Sequence, residues 1–399
     1  MARGADGSKN MELLAPAGGF EQLKEAIHFG ADAVYLAGKR WGMRAASDNF
    51  SNDQLAQAVE YAHKRGVAVH VTANTVMRDE DIDALPSYFA LLNELQVDAV
   101  IVADLGAFTL LRRYAPDVAP HISTQASIMN AASALAWERL GARRVVLARE
   151  MTLSQIAELR RRVGSDLELE AFAHGAQCMA YSGRCLLSAD LVGPERSAAR
   201  GACTQPCRWA WGLVDAKAGA RLDLEQDQQA SYLLSSNDLC MIGHLDQMRD
   251  AGIDAIKLEG RSKGAYYAGC VTNAYRHVLD GEPVQPWLDE LQLVSHRPYS
   301  TGFFFGKGQQ NPGRVDYERR RSLVGVVDSC ERDGDGWLVQ IACRNRAAAG
   351  SVVDVLSPGH EVRHFALEED LVTNGVIYQQ HISYPVEPLD LVCCKGQCA

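Results

Sequence analysis

Short apolar runs recur along the first 260 residues, separated by stretches with helical spacing. Four share one form: "FGADAVYLAG" (29–38), "LQVDAVIVAD" (95–104), "LGARRVVLAR" (140–149) and "AGIDAIKLEG" (251–260). Three of the four carry a glycine where a helix should end, the usual left-handed cap. All then enter a continuous apolar strand, as a parallel sheet covered on both faces requires. Related strands read at "ELLAPAG" (12–18), "VAVHVTAN" (67–74), "PHISTQ" (120–125) and "LELEAFAH" (167–174), with helical patterns such as "NDQLAQAVEYAHKRG" between them. Eight strands alternating with helices predict an α/β fold, a (β/α)8 TIM-like barrel, with a doubly wound sheet as the alternative.

The spacing breaks once. After "LELEAFAH" the next such strand, "IDAIKLEG", begins only at 253, which predicts a cysteine-rich insertion over about 175–245. Beyond about 320 the pattern changes to short strands, "SLVGVVD", "GWLVQIAC", "SVVDVL", "VIYQQHI" and "LDLVCC", broken by turns such as "RDGDG" and "TNG". The expected domains are therefore a barrel over 11–310 and a small all-β, barrel-like domain over 320–399, with residues 1–10 a leader or tag.

Composition narrows the class. With 47% hydrophobic and 23% charged residues, the chain reads as a soluble globular protein. No apolar run reaches the 18 or so residues that span a bilayer, and the first ten residues are not a secretory signal. Eleven cysteines without a signal point to the reducing cytoplasm, where clustered thiols more often bind metal than pair as disulfides. The net charge of −10 argues against generic nucleic-acid binding, so an RNA contact would need a local basic patch. "RRY" (112–114), "RRR" (160–162) and "RVDYERRR" (314–321) are the candidates, although each reads first as a solvated face.

A barrel places its active site at the C-terminal strand ends. These supply Ala15 to Gly18, Gly38, Asn74, Asp104, Ser123 with Gln125, Arg149 with Glu150, His174, and Glu259 with Arg261. The insertion adds Cys178 and Cys185, then Cys203 and Cys207, with Cys240 further on. Thiols at short spacing around turns are ordinary ligands of zinc or of an iron–sulfur cluster, and spacing leaves the two even. Alanine at 210 removes the three-cysteine run of a radical S-adenosylmethionine enzyme. Cys270, Cys330 and Cys343 read as structural, and "CCKGQC" (393–398) as an untethered tail. The candidate proton-transfer groups are His174, Glu150 and Tyr181.

The stretch "EAFAHGAQCMAYSGRCLLS" (170–188) resembles the signature of the collagenase-like peptidase family U-32, through Glu170, Phe172, Gly175, Ala176, Cys178, Gly183, Cys185 and Ser188. "LLAPAG" (13–18), "CTQPCRW" (203–209), "SSNDLC" (235–240) and "IKLEGRSK" (256–263) extend the likeness. The family name suggests proteolysis, yet the sequence has neither an HExxH helix nor a GxSxG elbow. The pattern looks most like the tRNA-hydroxylating branch. That resemblance implies oxygen-independent, prephenate-dependent conversion of a wobble uridine in the tRNA anticodon loop to 5-hydroxyuridine, with a [4Fe-4S] cluster. It implies as ligands Cys178, Cys185, Cys203 and either Cys207 or Cys240. Arg44, Arg149, Arg184 and Arg261, with Glu259, would form the substrate site, since bidentate arginines suit prephenate's two carboxylates. Hydroxylation of 23S rRNA cytidine or of the ubiquinone ring, a metal-dependent or collagenase-like peptidase, and a scaffold with structural zinc are the alternatives.

Overall fold

The computed structural model describes residues 11–45, 47–178, 180–181, 184–209, 212–214, 221–223, 236–306, 317–372 and 375–395. The leader at 1–10, Gly183 of the signature, residues 314–316 and Cys398 lie outside the described residues. The chain divides into two compact units. One holds the described parts of Met1–Phe20, Asp32–Ser262 and Arg297–Asp316, and the other holds Glu21–Ala31, Lys263–His296 and Tyr317–Ala399.

The first unit is built on parallel strands in chain order: β1 (Glu12–Pro16), β2 (Ala33–Leu36), β3 (Ala68–Ala73), β4 (Ala99–Val102), β5 (Ala119–Ile122), β6 (Arg144–Val146) and β7 (Glu168–Ala176). The insertion then contributes a hairpin, β8 (Gly212–Val214) with β9 (Arg221–Asp223), and β10 (Asp238–Cys240). β11 (Ala255–Leu258) is parallel to both β7 and β1, with Ala255 opposite Glu170 and Glu12 opposite Ala255. The barrel therefore closes with eight parallel strands, so it is not a doubly wound sheet. β10 runs antiparallel along the end of β7, and β12 (Tyr299–Ser300) pairs with β10. A fully buried ion pair fixes this flap: Arg297 donates from Nη2 to Asp238 Oδ1 at 2.6 Å.

Helices follow the strands in this unit: α2 (Asn52–His63), α3 (Asp79–Glu94), α4 (Leu105–Tyr114), α5 (Ala131–Leu140), α6 (Leu153–Val163), α7 (Leu187–Val192) and α8 (Leu245–Asp250). Their starts are set by side-chain caps. Ser51, Asp104, Asn130 and Thr152 each accept a bond from a backbone N–H one turn on. Each cap stabilises its helix by about 1 kcal/mol and ends the loop that leaves a strand.

The second unit holds α1 (Phe20–His28) from Glu21 onward, α9 (Ala265–Leu279) and α10 (Val284–Leu291), together with an antiparallel half-barrel. Its strands are β13 (Arg321–Asp333), β14 (Gly336–Cys343), β15 (Val352–Leu356), β16 (Arg363–Ala366), β17 (Ile377–Ile382) and β18 (Leu391–Lys395), in the order β16-β15-β18-β13-β14-β17. β17 alternates exposed and buried residues, and its buried set joins Val324, Val339, Ile341, Val353 and Val392 in one core.

Two expectations fail here. Cys393 and Cys394 are not in a loose tail, because β18 pairs on both sides and Cys393 is fully buried. Arg321 is not an RNA contact, because it is 0% exposed and donates to Tyr266 Oη (3.0 Å), Glu290 (2.5 Å) and Asp354 (3.2 Å). Arg319 and Arg320 remain exposed. Among the described residues no helix is long and apolar enough to cross a membrane.

Candidate functional site

The mouth of the barrel is shaped first by two glycines. A Cβ on Gly18, just past β1, would lie 1.9 Å from the Arg261 carbonyl oxygen. One on Gly175 would lie 2.2 Å from the Glu259 carbonyl oxygen, and Gly175 also has φ +99°, where a side chain is strained. Only glycine lets the loop after β11 fold back this closely over β1 and β7. That loop delivers Glu259 and Arg261 to the mouth.

Glu259 is 8% exposed and accepts from Arg44 Nε (3.2 Å) and Nη2 (2.9 Å) at one oxygen. Its other oxygen lies 3.8 Å from Arg149 Nη2 and 3.5 Å from the Tyr35 hydroxyl. Arg149 also stacks on Phe172 at 3.8 Å and donates to the Ala176 carbonyl. Arg261, 2% exposed, donates to Thr72 Oγ1 (2.8 Å) and Asn49 Oδ1 (3.1 Å), while its buried Nε has no partner. Burial raises the Glu259 carboxyl, but Arg44, Arg149 and Arg261 outweigh it and hold the group below its ordinary value. Burial also pushes Arg261 down to about 10, with Tyr35 and Glu259 opposing and Arg44 adding to the fall. Three guanidiniums thus face one carboxylate, and two positive charges are left without a counter-charge inside this group. Arrangements of this kind bind carboxylates or phosphates.

The thiols stand beside this cluster. Burial pushes the Cys207 thiol up, Arg208 pulls it down, and neighbouring Cys178, Cys203 and Cys185 push it up further. Cys178 in turn acts on Arg44 and Arg149. The Leu187 N–H points at Cys185 Sγ (3.4 Å) and the Gln205 N–H at Cys203 Sγ (3.3 Å), so both turns present donors to sulfur. Ser188 and Thr204 tie the two turns together through hydroxyls 2.9 Å apart. The Ala45 N–H donates to the Gly201 carbonyl, which joins the Cys203 turn to the loop of Arg44. Cys185 and Cys203 thus each have a backbone donor aimed at sulfur, and thiols gathered around turns in this way are the donor type of an iron–sulfur cluster.

Other candidates fall elsewhere. Cys240 is buried on β10 opposite His174 and beside Tyr299. His174 is 1% exposed with its ring against Tyr299, and its carbonyl accepts from the Glu259 N–H. Tyr181 is 48% exposed, with Glu150 near its hydroxyl. Arg184 donates to the Gln125 carbonyl and is not in the Glu259 group.

The barrel interior holds a polar set that strand periodicity alone did not single out. Arg144 on β6 donates to Glu12 (2.6 and 2.9 Å), Glu168 (2.9 Å) and Glu170 (3.1 Å). Lys257 donates to the other oxygen of Glu170 at 3.0 Å and lies 4.3 Å from the Tyr35 ring centre. His70 and His121 stand edge to face at 4.8 Å, and both Nδ1 atoms are buried without a partner. His70, His121 and Glu170 bring ligand atoms within 4.8 Å of one another. Both Glu170 oxygens are already held by cations, however, so this group reads as a charge-balanced floor. The signal for it was present: ionisable residues at inward positions of strands that are otherwise apolar.

The fold and the site define a TIM-like barrel whose seventh strand leads into a four-thiol insertion beside an arginine-rich mouth. The model of Peptidase family U32 matches residues 18–313, and the chain belongs to that family. It is 37% identical over 369 residues to the tRNA hydroxylation protein P1 of Bacillus subtilis (strain 168), covering 90% of this chain and 86% of that one. It is 34% identical to a collagenase of Porphyromonas gingivalis, over 75% of this chain and 74% of that one. It is also 37% identical to the 23S rRNA 5-hydroxycytidine C2501 synthase of Escherichia coli (strain K12), over 81% of this chain and 47% of that one.

Proposed function

We propose that this chain is an RNA-modifying enzyme that hydroxylates a tRNA wobble uridine to 5-hydroxyuridine, with prephenate as co-substrate and a [4Fe-4S] cluster as cofactor. The observation that carries the reading is the four-thiol group set beside a mouth with two uncompensated positive charges. Cys178, Cys185, Cys203 and Cys207 would hold the cluster, which would supply one-electron or Lewis-acid chemistry at the mouth. Arg44, Arg149 and Arg261 supply the charge that a dicarboxylate needs. Glu259 orients Arg44 and Arg149 and keeps them from collapsing onto solvent. Phe172 packs under Arg149 and sets the plane of its guanidinium. A base extruded from an unpaired loop fits a barrel mouth, whereas a base inside a duplex would first have to leave its stack.

The relatives support RNA hydroxylation twice, once on tRNA and once on rRNA. Coverage favours tRNA, because the match spans most of the tRNA protein and about half of the rRNA enzyme. The test is nucleoside mass spectrometry of tRNA from a clean deletion strain that has no second enzyme of overlapping activity. 5-Hydroxyuridine derivatives should disappear, and purified protein with tRNA and prephenate should restore them. Unchanged wobble nucleosides would refute the reading.

A further inference from the structure

We propose that Tyr181, Leu186 and Trp209 form a stacking platform for the unpaired RNA bases that flank the target nucleotide. This rests on the RNA-modifying reading above. The three side chains are 48%, 79% and 43% exposed, a costly arrangement for large apolar groups unless something covers them. Each sits on a thiol-bearing turn: Tyr181 between Cys178 and Cys185, Leu186 directly after Cys185, and Trp209 two residues after Cys207. The patch continues along α7, where Leu191 and Val192 are 45% and 43% exposed.

Chemistry points to the occupant. The chain carries a net −10, yet arginines are interleaved with these apolar side chains: Arg184, Arg196 and Arg208 lie within residues 178–209, while Arg200 of the same stretch is held by Asp81. Aromatic and apolar faces interleaved with arginine are the pattern of single-stranded RNA grooves. When one base leaves a loop to enter the mouth, its neighbours lose a stacking partner and need a new flat face nearby. Ser188 and Thr204 tie the Cys185 and Cys203 turns together, and the Ala45 N–H to Gly201 carbonyl bond joins the Cys203 turn to the loop of Arg44.

The experiment uses the full chain, purified anaerobically, with a fluorescent anticodon stem–loop RNA as probe. Trp209→Ala should weaken stem–loop binding about tenfold, the scale of one lost base–aromatic stack. Trp209→Phe should recover most of it. KM for tRNA should rise in Trp209→Ala with kcat little changed and iron content equal to wild type. Equal binding by wild type and Trp209→Ala would overturn the platform and leave the RNA-modifying reading intact. Loss of iron from Trp209→Ala would also overturn it, by making the side chain part of the cluster's packing. The platform falls as well if a fully base-paired hairpin binds wild type as tightly as the stem–loop, or if Trp209→Ala abolishes only the capture of a protein partner. A wild-type chain that binds no stem–loop would overturn both readings.

Discussion

Replacing Arg144 with methionine removes the one cation shared by three carboxylates, the buried Glu168 and Glu170 and the partly buried Glu12. Arg144 is 2% exposed, and its fork reaches Glu12, Glu168 and Glu170 at 2.6–3.1 Å. Breaking a buried pair costs about 3–5 kcal/mol, because the orphaned charge remains desolvated. Here two carboxylates, Glu12 and Glu168, lose their main cation, while Glu170 keeps Lys257. The cost at pH 8 should therefore reach at least the top of that range, a large part of the roughly 5–15 kcal/mol that holds most domains folded. The pH dependence carries the sign. In the wild type, burial raises Glu12 and Glu170, but the cations win and both sit below the ordinary carboxyl value. Their stabilisation is present above that ordinary value of 4.5 and is lost as pH falls through the lower folded values. Without Arg144, burial dominates at Glu12, and its folded value moves above 4.5. The cost relative to the wild type should then shrink as pH falls from 8 toward about 5, because the variant's folded state takes up protons at Glu12 first. Urea denaturation followed by circular dichroism at both pH values measures this. The triple variant Arg144→Met, Glu12→Gln, Glu168→Gln should regain most of the loss at pH 8. A cost under about 1 kcal/mol at pH 8, or an equal cost at pH 8 and 5, would refute the shared-cation account.

His70 and His121 are both held below the ordinary imidazole value, first by burial, with Arg144 and Lys257 adding to the fall and Glu12 and Glu170 opposing it at His70. Their folded values lie below the unfolded one, so stability should fall as pH drops below about 6.5, by at most about 1.4 kcal/mol per pH unit per histidine. A double His→Asn variant should flatten the curve of melting temperature against pH between 7 and 5, and an unchanged slope would count against it. Alanine at Cys178, Cys185, Cys203 or Cys207 should each lower iron in anaerobically purified protein, while Cys240→Ala keeps it. Full iron in Cys207→Ala with loss in Cys240→Ala would reverse the choice of fourth ligand. Gly175→Ala drives a methyl group against the Glu259 carbonyl at a residue with φ +99°, so it should raise KM for prephenate and spare the cluster. An unaltered KM would mean that the loop after β11 tolerates displacement.

What the sequence made legible follows from the range of the forces involved. Strands buried on both faces favour continuous apolar runs, and those at 33–36 and 99–102 could be read without knowing their neighbours, whereas β6 begins on Arg144 and β7 carries Glu168 and Glu170. The short strands could not. β12 has two residues and exists because β10 offers an edge and Arg297 locks onto Asp238, a pairing across 59 positions that local pattern does not encode. The basic run at 314–321 misled for a related reason. Charge in sequence says nothing of partners: Arg321 found Glu290 and Asp354 in the interior, while Arg319 and Arg320 stayed exposed, Arg320 pairing with Glu318. The thiols were legible as a group, because cysteine is scarce and the turns that hold it are glycine-rich. Their choice among themselves was not. Cys240 reaches the mouth region in sequence but turns into the pairing with β7, where it meets His174. The mouth arginines mark the middle case. Strand ends located Arg149 and Arg261, but their division of labour came only from three dimensions: one faces Glu259 across the barrel, and the other braces Thr72 and Asn49.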